Sequence, residues 1–284
     1  MSSENTPLMN QIIRLKKGLN NEILFFRKGD FYEMFGDDAI EVSRLLNLTL
    51  THRGQLPMCG IPYRAANSYI KRLLDEGNKI AITAQTELIS ESKSDIINRE
   101  VVQIITPATV VEDDFLNSRA SSYILSISFS KKETFVSYSD ITTGEFYLQS
   151  FEKDSTFQKL SAFLTQIGPR EILVNEDDYF VHTDLAHLLD DTGIMITKLP
   201  SRDFSIKKVF SIDEKDKDLG SADALLKYIK DSSRSSLSQI IAYTKESDSS
   251  YLQIDASTRK SLEILKNTQD GGESNTLFST IDKP

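Results

Sequence analysis

The chain has 284 residues, 39% hydrophobic and 26% charged, with a formal net charge of −9. That length suits about two domains of ordinary globular composition. No run of about 18 apolar residues predicts a membrane-spanning helix. The opening Met1–Pro7 does not read as a secretory signal, and the single cysteine, Cys59, excludes an internal disulfide and suits a reducing, cytoplasmic compartment.

Thr6-Pro7 reads as an N-cap followed by proline in a first helical turn. Met9, Ile12 and Ile13 continue at helical spacing, and Gly18 stops the pattern. Ile23–Phe26 is an apolar run of strand length, broken by Gly29-Asp30. Asp37-Asp38 begins a second helix carrying Ile40, Val42, Leu45 and Leu46. A third is marked by Ala66, Tyr69, Ile70, Leu73 and Leu74 and ends near Gly77. Ile80–Thr83 and Val101–Ile105 read as strands. Strands mixed with helices in this way predict a small α/β domain over residues 1–115.

Glu112–Ser122 is polar and reads as a linker. Tyr123–Phe129, Thr134–Asp140 and Glu145–Leu148 then form three β-rich runs separated by turn residues. A helix follows through Phe157, Leu160, Phe163, Leu164 and Ile167, stopped by Gly168, and then a strand, Ile172–Val174. The order β-β-β-α-β over 120–250 fits an RNase H-like sheet and other α/β folds too. Ser211–Gly220 reads as a loop, Ala222–Ile229 as a helix, and Ser232–Ser250 as irregular. Asp255 is expected to cap a last helix through Leu262 and Leu265, ended by Gly271-Gly272.

No phosphate loop, nucleophile elbow or metalloprotease signature is present. Cys59 and three dispersed histidines give no zinc pattern, so His52 and Cys59 read as loop filling. Asp140, at a strand end, is the one candidate for a nuclease-type metal carboxylate, or else a turn residue. The informative stretch is Arg27–Phe35. If extended, it puts Phe31, Glu33 and Phe35 on one face and Tyr32 and Met34 on the other. A glutamate between aromatics is poorly placed for a core and suits a surface offering a ring and an acceptor together. Core packing of Phe31 stays open beside that reading, while Tyr32, Met34 and Phe35 read as core. Residues 1–76 hold ten Lys or Arg and nine Asp or Glu, which is no basic patch, so any DNA binding here would rest on a few placed contacts or on further protein outside this chain.

Gly29-Asp30-Phe31-Tyr32-Glu33-Met34-Phe35 resembles the Gly-Asp-Phe-Tyr-Glu-Leu/Met-Phe motif of the MutS family. Thr6–Met9, Leu48–Gly54, Pro57–Tyr63, Ile105–Thr109 and Leu252–Glu263 resemble further family stretches in the same order. Three departures stand out: Ala108 where glycine is usual, a short loop between Gly54 and Pro57, and Ala81–Gln85 without the usual Cys-Glu.

The resemblance implies a mismatch-recognition domain at 1–115, an RNase H-like connector at 120–250 and the start of a helical lever at 252–284. A clamp, the rest of the lever and the ATPase are expected beyond Pro284. By the same resemblance Phe31 and Glu33 bind the mismatch, and Lys28, Arg53 and Met58 are further candidates for DNA contact. The two cations read alternatively as solvated charges, and Met58 as core filling. The implied partner is double-stranded DNA with mismatches or small loops. Dimerisation, a MutL-type partner, ATP and Mg belong to the longer family pattern. No cofactor, metal, enzymatic activity or membrane contact is expected of this stretch itself. The alternative from another class is a connector-type protein-interaction module that does not read mismatches.

Overall fold

The structure, a computed structural model, describes residues 7–85, 98–109, 122–152, 157–204, 220–232, 244–245 and most of 258–281. It divides into two units, one built chiefly on residues before Ser122 and one chiefly on those after it. Each contains a six-stranded sheet.

The first unit runs α1 (Pro7–Lys17), β1 (Ile23–Lys28), β2 (Phe31–Phe35), α2 (Asp37–Leu46), β3 (Thr51–Arg53), β4 (Leu56–Pro62), α3 (Ala66–Asp75), β5 (Ile80–Gln85) and β6 (Arg99–Ile105). Its strands lie in the order β3-β4-β2-β1-β5-β6. β1 and β5 are parallel and the other neighbours antiparallel. Pro7 opens α1, where its missing N–H is no loss. Asp37 and Asp38 occupy the first turn of α2, where the helix dipole favours negative charge.

Strand alternation gives this sheet two apolar faces. On one, Phe25, Met34, Cys59 and Ile61 are fully buried against Val42 of α2 and Leu73 of α3. Truncating such a buried aromatic costs about 3–5 kcal/mol. On the other, Ile12 of α1 packs with Leu24, Phe26, Phe35 and Ala81. Beyond β6, Thr106 and Thr109 bond each other reciprocally, each backbone N–H donating to the other's hydroxyl. Ala108 between them is 1% exposed and has no positive φ, so alanine meets no strain where the family usually has glycine.

The second sheet is built from β7 (Tyr123–Phe129), β8 (Glu133–Asp140), β9 (Glu145–Glu152), β10 (Glu171–Asn175), β11 (Met195–Leu199) and β12 (Thr244–Lys245) in the order β11-β10-β7-β8-β9-β12. β7, β8 and β9 lie side by side in chain order, and β10 runs parallel to both β7 and β11, which fits the RNase H-like expectation. The α-helices described after β7 are α4 (Gln158–Ile167), α5 (Glu176–Val181), α6 (Thr183–Asp191), α7 (Gly220–Ser232) and α8 (Leu277–Ile281). Leu125, Ile127, Leu160, Ile172, Val174, Leu185 and Leu189 form the core against this sheet.

Several expectations are corrected. The β3–β4 hairpin, α5, α6 and β11 carried no prediction. Ser122, read as the end of a linker, is 3% exposed and its N–H donates to Asp140. The last predicted helix does not continue past Ser261, because Glu263 has a φ of 48°; α8 forms later instead. Thr6, most of the linker, residues 211–219, most of 232–250, Asp255, Leu265 and Gly271 lie outside the described residues.

Candidate nucleic-acid interface

Only Gly29 and Asp30 join β1 to β2, because Lys28 pairs directly with Phe31. Gly29 has a φ of 56°. Glycine reaches that value without strain, and two-residue hairpin turns call for it. The Tyr63 N–H donates to the Asp30 carbonyl at 2.8 Å, which ties the turn to the end of β4. Phe31 follows at once, held between Lys28 on β1 and Pro62 on β4.

The alternative left open by the sequence resolves by position. Phe31 is 50% exposed, while Phe35, at the other end of the same strand face, is 8% exposed. Phe35 lies in the cluster with α1, edge-on to Phe26 at 6.3 Å; that cluster does not include Phe31. Tyr32 and Met34 are buried on the opposite face. Behind the turn, the Arg27 guanidinium lies 3.4 Å from the centre of the Tyr63 ring, a cation–π contact that braces this corner.

Glu33 stands between Phe31 and Phe35, and its carboxylate is not alone. Oε2 lies 2.9 Å from Arg53 Nη1 and Oε1 lies 3.6 Å from Lys28 Nζ. Both candidate DNA-contacting cations therefore converge on the candidate base-bonding carboxylate. Arg53 ends β3 and pairs with Leu56, so the short loop is a two-residue turn of Gly54-Gln55, with Gly54 at a φ of 63°. Arg99 contributes a third cation. Its Nε donates to the Arg27 carbonyl at 2.6 Å and its guanidinium lies 4.9 Å from the Phe26 ring centre. Burial pushes the Arg99 pKa down from its usual value, and the nearby Glu33 charge opposes that. Three cations against Glu33, and Asp30 on the adjoining turn, leave a local excess of positive charge in a chain of net −9.

Met58 does not join this group. It pairs with Phe35, four residues along β4 from Pro62, the partner of Phe31, or roughly 13 Å away. It is half-buried and packs against the Phe26–Phe35 cluster, as its core-filling reading describes. His52 is exposed. Cys59 is fully buried, and its thiol donates to the Ala39 carbonyl at 3.5 Å. Burial first, and the Asp38 charge second, push that thiol up to about 11. Asp140 is 3% exposed. Its oxygens accept from the Thr142 N–H and hydroxyl and from the Ser122 N–H. It is a turn-holding carboxylate, and among the described residues no three His, Cys, Asp or Glu side chains gather as a metal site.

Two contributors escaped the sequence reading. Arg99 arrives from a strand 66 positions beyond Glu33, and nothing local links them. Gly60 pairs across from Glu33; its place in the Pro57–Tyr63 stretch was visible, but its partner was not.

Together these features define a two-unit α/β protein with an RNase H-like second sheet and an exposed aromatic set beside a carboxylate among cations. The family model for MutS domain I matches residues 6–114, and that for MutS domain II matches residues 122–241. The DNA mismatch repair protein MutS of Treponema denticola is 37% identical over 308 residues, covering 99% of this chain and 34% of that protein. The MutS of Borrelia garinii subsp. bavariensis is 36% identical over 296 residues, covering 99% and 34%. That of Wolbachia pipientis is 32% identical over 305 residues, covering 99% and 35%. The chain belongs to the MutS family and carries its domains I and II. It spans about a third of the length of these relatives. Among the described residues no helix is long and apolar enough to cross a membrane.

Proposed function

We propose that this chain reads mispaired or unpaired bases in double-stranded DNA, with Phe31 entering the base stack from the minor groove and Glu33 bonding the displaced base. The observation that carries this is the half-exposed Phe31 at the tip of a two-residue hairpin, beside a carboxylate ringed by Lys28 and Arg53. A mispair stacks and pairs poorly, so opening it costs less than opening a matched step. An aromatic ring placed there replaces lost stacking, worth about 1–3 kcal/mol per base. The resulting kink brings more backbone within reach of the protein, and Arg53 and Lys28 are the cations placed to meet phosphate.

By family resemblance the proposal extends to dimerisation, a MutL-type partner and an ATP- and Mg-dependent cycle in the longer proteins. Affinity of this chain for DNA is expected to be weak, micromolar or poorer at physiological salt, because few phosphate contacts oppose a net charge of −9. The test is a titration of the chain, at low salt, against a matched duplex and the same duplex carrying one G·T pair. The expected result is tighter binding to the mismatch; equal affinity for the two overturns the proposal.

A further inference from the structure

Glu33 faces two demands. It is the acceptor for a displaced base, yet in the free protein Arg53 already occupies one of its oxygens at 2.9 Å and Lys28 lies 3.6 Å from the other. We propose that Glu33 is a releasable counterion. It neutralises Arg53 and Lys28 until a mispaired base takes over its hydrogen bond, and Arg53 is then freed for a DNA phosphate. This makes Arg53 a specificity-determining residue, and it rests on the mismatch-reading proposal above.

The geometry favours exchange. The Arg53 and Lys28 side chains are 39% and 37% exposed, against 16% for Glu33, and ion pairs so open to water hold weakly. Glu33 is fixed in mid-sheet, between Phe26 on β1 and Gly60 on β4. The two cations sit at strand ends, Lys28 closing β1 and Arg53 closing the three-residue edge strand β3. The carboxylate is thus the stationary partner and the cations are the movable ones. Arg99, buried and bonded to the Arg27 carbonyl, stays behind and keeps positive charge near Glu33.

A matched duplex offers no base donor at Glu33. Its phosphates then meet cations whose charge is already answered. A mispair offers the donor, and the carboxylate exchanges one partner for another. Base recognition and backbone contact are thereby joined in one step, so discrimination exceeds what one hydrogen bond supplies.

The experiment is a salt series on this chain with wild type, Glu33→Gln and Arg53→Gln, against matched and G·T duplexes. Each phosphate contact adds about 0.9 to the slope of log affinity against log salt. The wild-type slope should be steeper on the mismatch by about that amount, one freed cation. Glu33→Gln, which frees both cations, should raise the matched slope to the mismatched value or above it and tighten matched binding. Arg53→Gln should flatten the mismatched slope and leave the matched slope unchanged. Equal wild-type slopes with the mismatch preference intact overturn the exchange alone. So does an Arg53→Gln variant that lowers both slopes equally, since Arg53 would then be an ordinary phosphate contact. Loss of any wild-type preference for the mismatch overturns the reading beneath it.

Discussion

Gly60 lies directly across the β2–β4 pair from Glu33, and a Cβ built on it would stand 3.3 Å from the Tyr32 carbonyl oxygen and 4.0 Å from Glu33 Cγ. The first contact is with backbone and can be relieved only by moving β2 by a few tenths of an ångström. Gly60→Ala is therefore expected to lose about 1 kcal/mol of stability and to reduce preference for a G·T duplex by shifting Glu33. Thermal unfolding and duplex titration of the same sample check this. Unchanged values in both would mean that the strand gives way freely.

Phe31→Ala separates binding from folding. The ring is 50% exposed at a hairpin tip, so its loss should change stability by no more than about 0.5 kcal/mol. Mismatch binding should fall by about 1–3 kcal/mol towards the matched level, because lost stacking is no longer replaced. Binding to matched DNA should hold, since the cations remain. A variant that unfolds at markedly lower denaturant would return Phe31 to the core.

Asp38 joins α1, β1 and α2 through one carboxylate. Oδ1 accepts from Lys16 Nζ at 2.6 Å and Oδ2 accepts from the Leu24 N–H at 2.9 Å. Asp38→Ala leaves that buried N–H unsatisfied, at an expected cost of about 1–3 kcal/mol, read from the shift in denaturation midpoint. A shift near zero would place water at the vacated position.

Asp223, in the first turn of α7, has its carboxyl raised from 3.8 to about 6 by burial. The folded chain then holds a proton that the unfolded chain has given up. Stability present below pH 3.8 is lost as pH rises through about 6. Asp223→Asn should accordingly stabilise the protein at neutral pH and bring little gain near pH 3.8. Unfolding midpoints of both proteins across that range decide it. A gain independent of pH would assign the effect to packing.

How much of this was legible depends on the distance over which each signal acts. Pro7, Asp37-Asp38, Gly77 and Gly168 punctuate helices locally, and the helices begin or end beside them. The face of Phe31, Glu33 and Phe35 followed from alternation alone. Alternation could not say how far α1 reaches across that face, so it could not choose between an open Phe31 and a packed one. The charge state of the site was the larger gap. In the sequence Glu33 stands among apolar neighbours as an unanswered anion, while Arg53 is 20 residues away and Arg99 farther still. Only strand order brings them together, and strand order is non-local. The β3–β4 hairpin was missed because Gly54-Gln55 separates runs too short and too mixed to read as strands.

The turn of Gly29-Asp30 leaves Phe31 no slack. The residue begins a strand held on both sides, and the turn itself is tied down by the Tyr63 N–H. A side chain on a long loop would lose conformational freedom on insertion and could bend to suit any step it met. The Phe31 backbone can do neither, so in the proposed insertion the duplex is the softer body. Under the proposed reading, the Phe31 share of selectivity is then set by the compliance of the double helix at each step, and the protein serves as a gauge of fixed shape pressed against a material of varying stiffness.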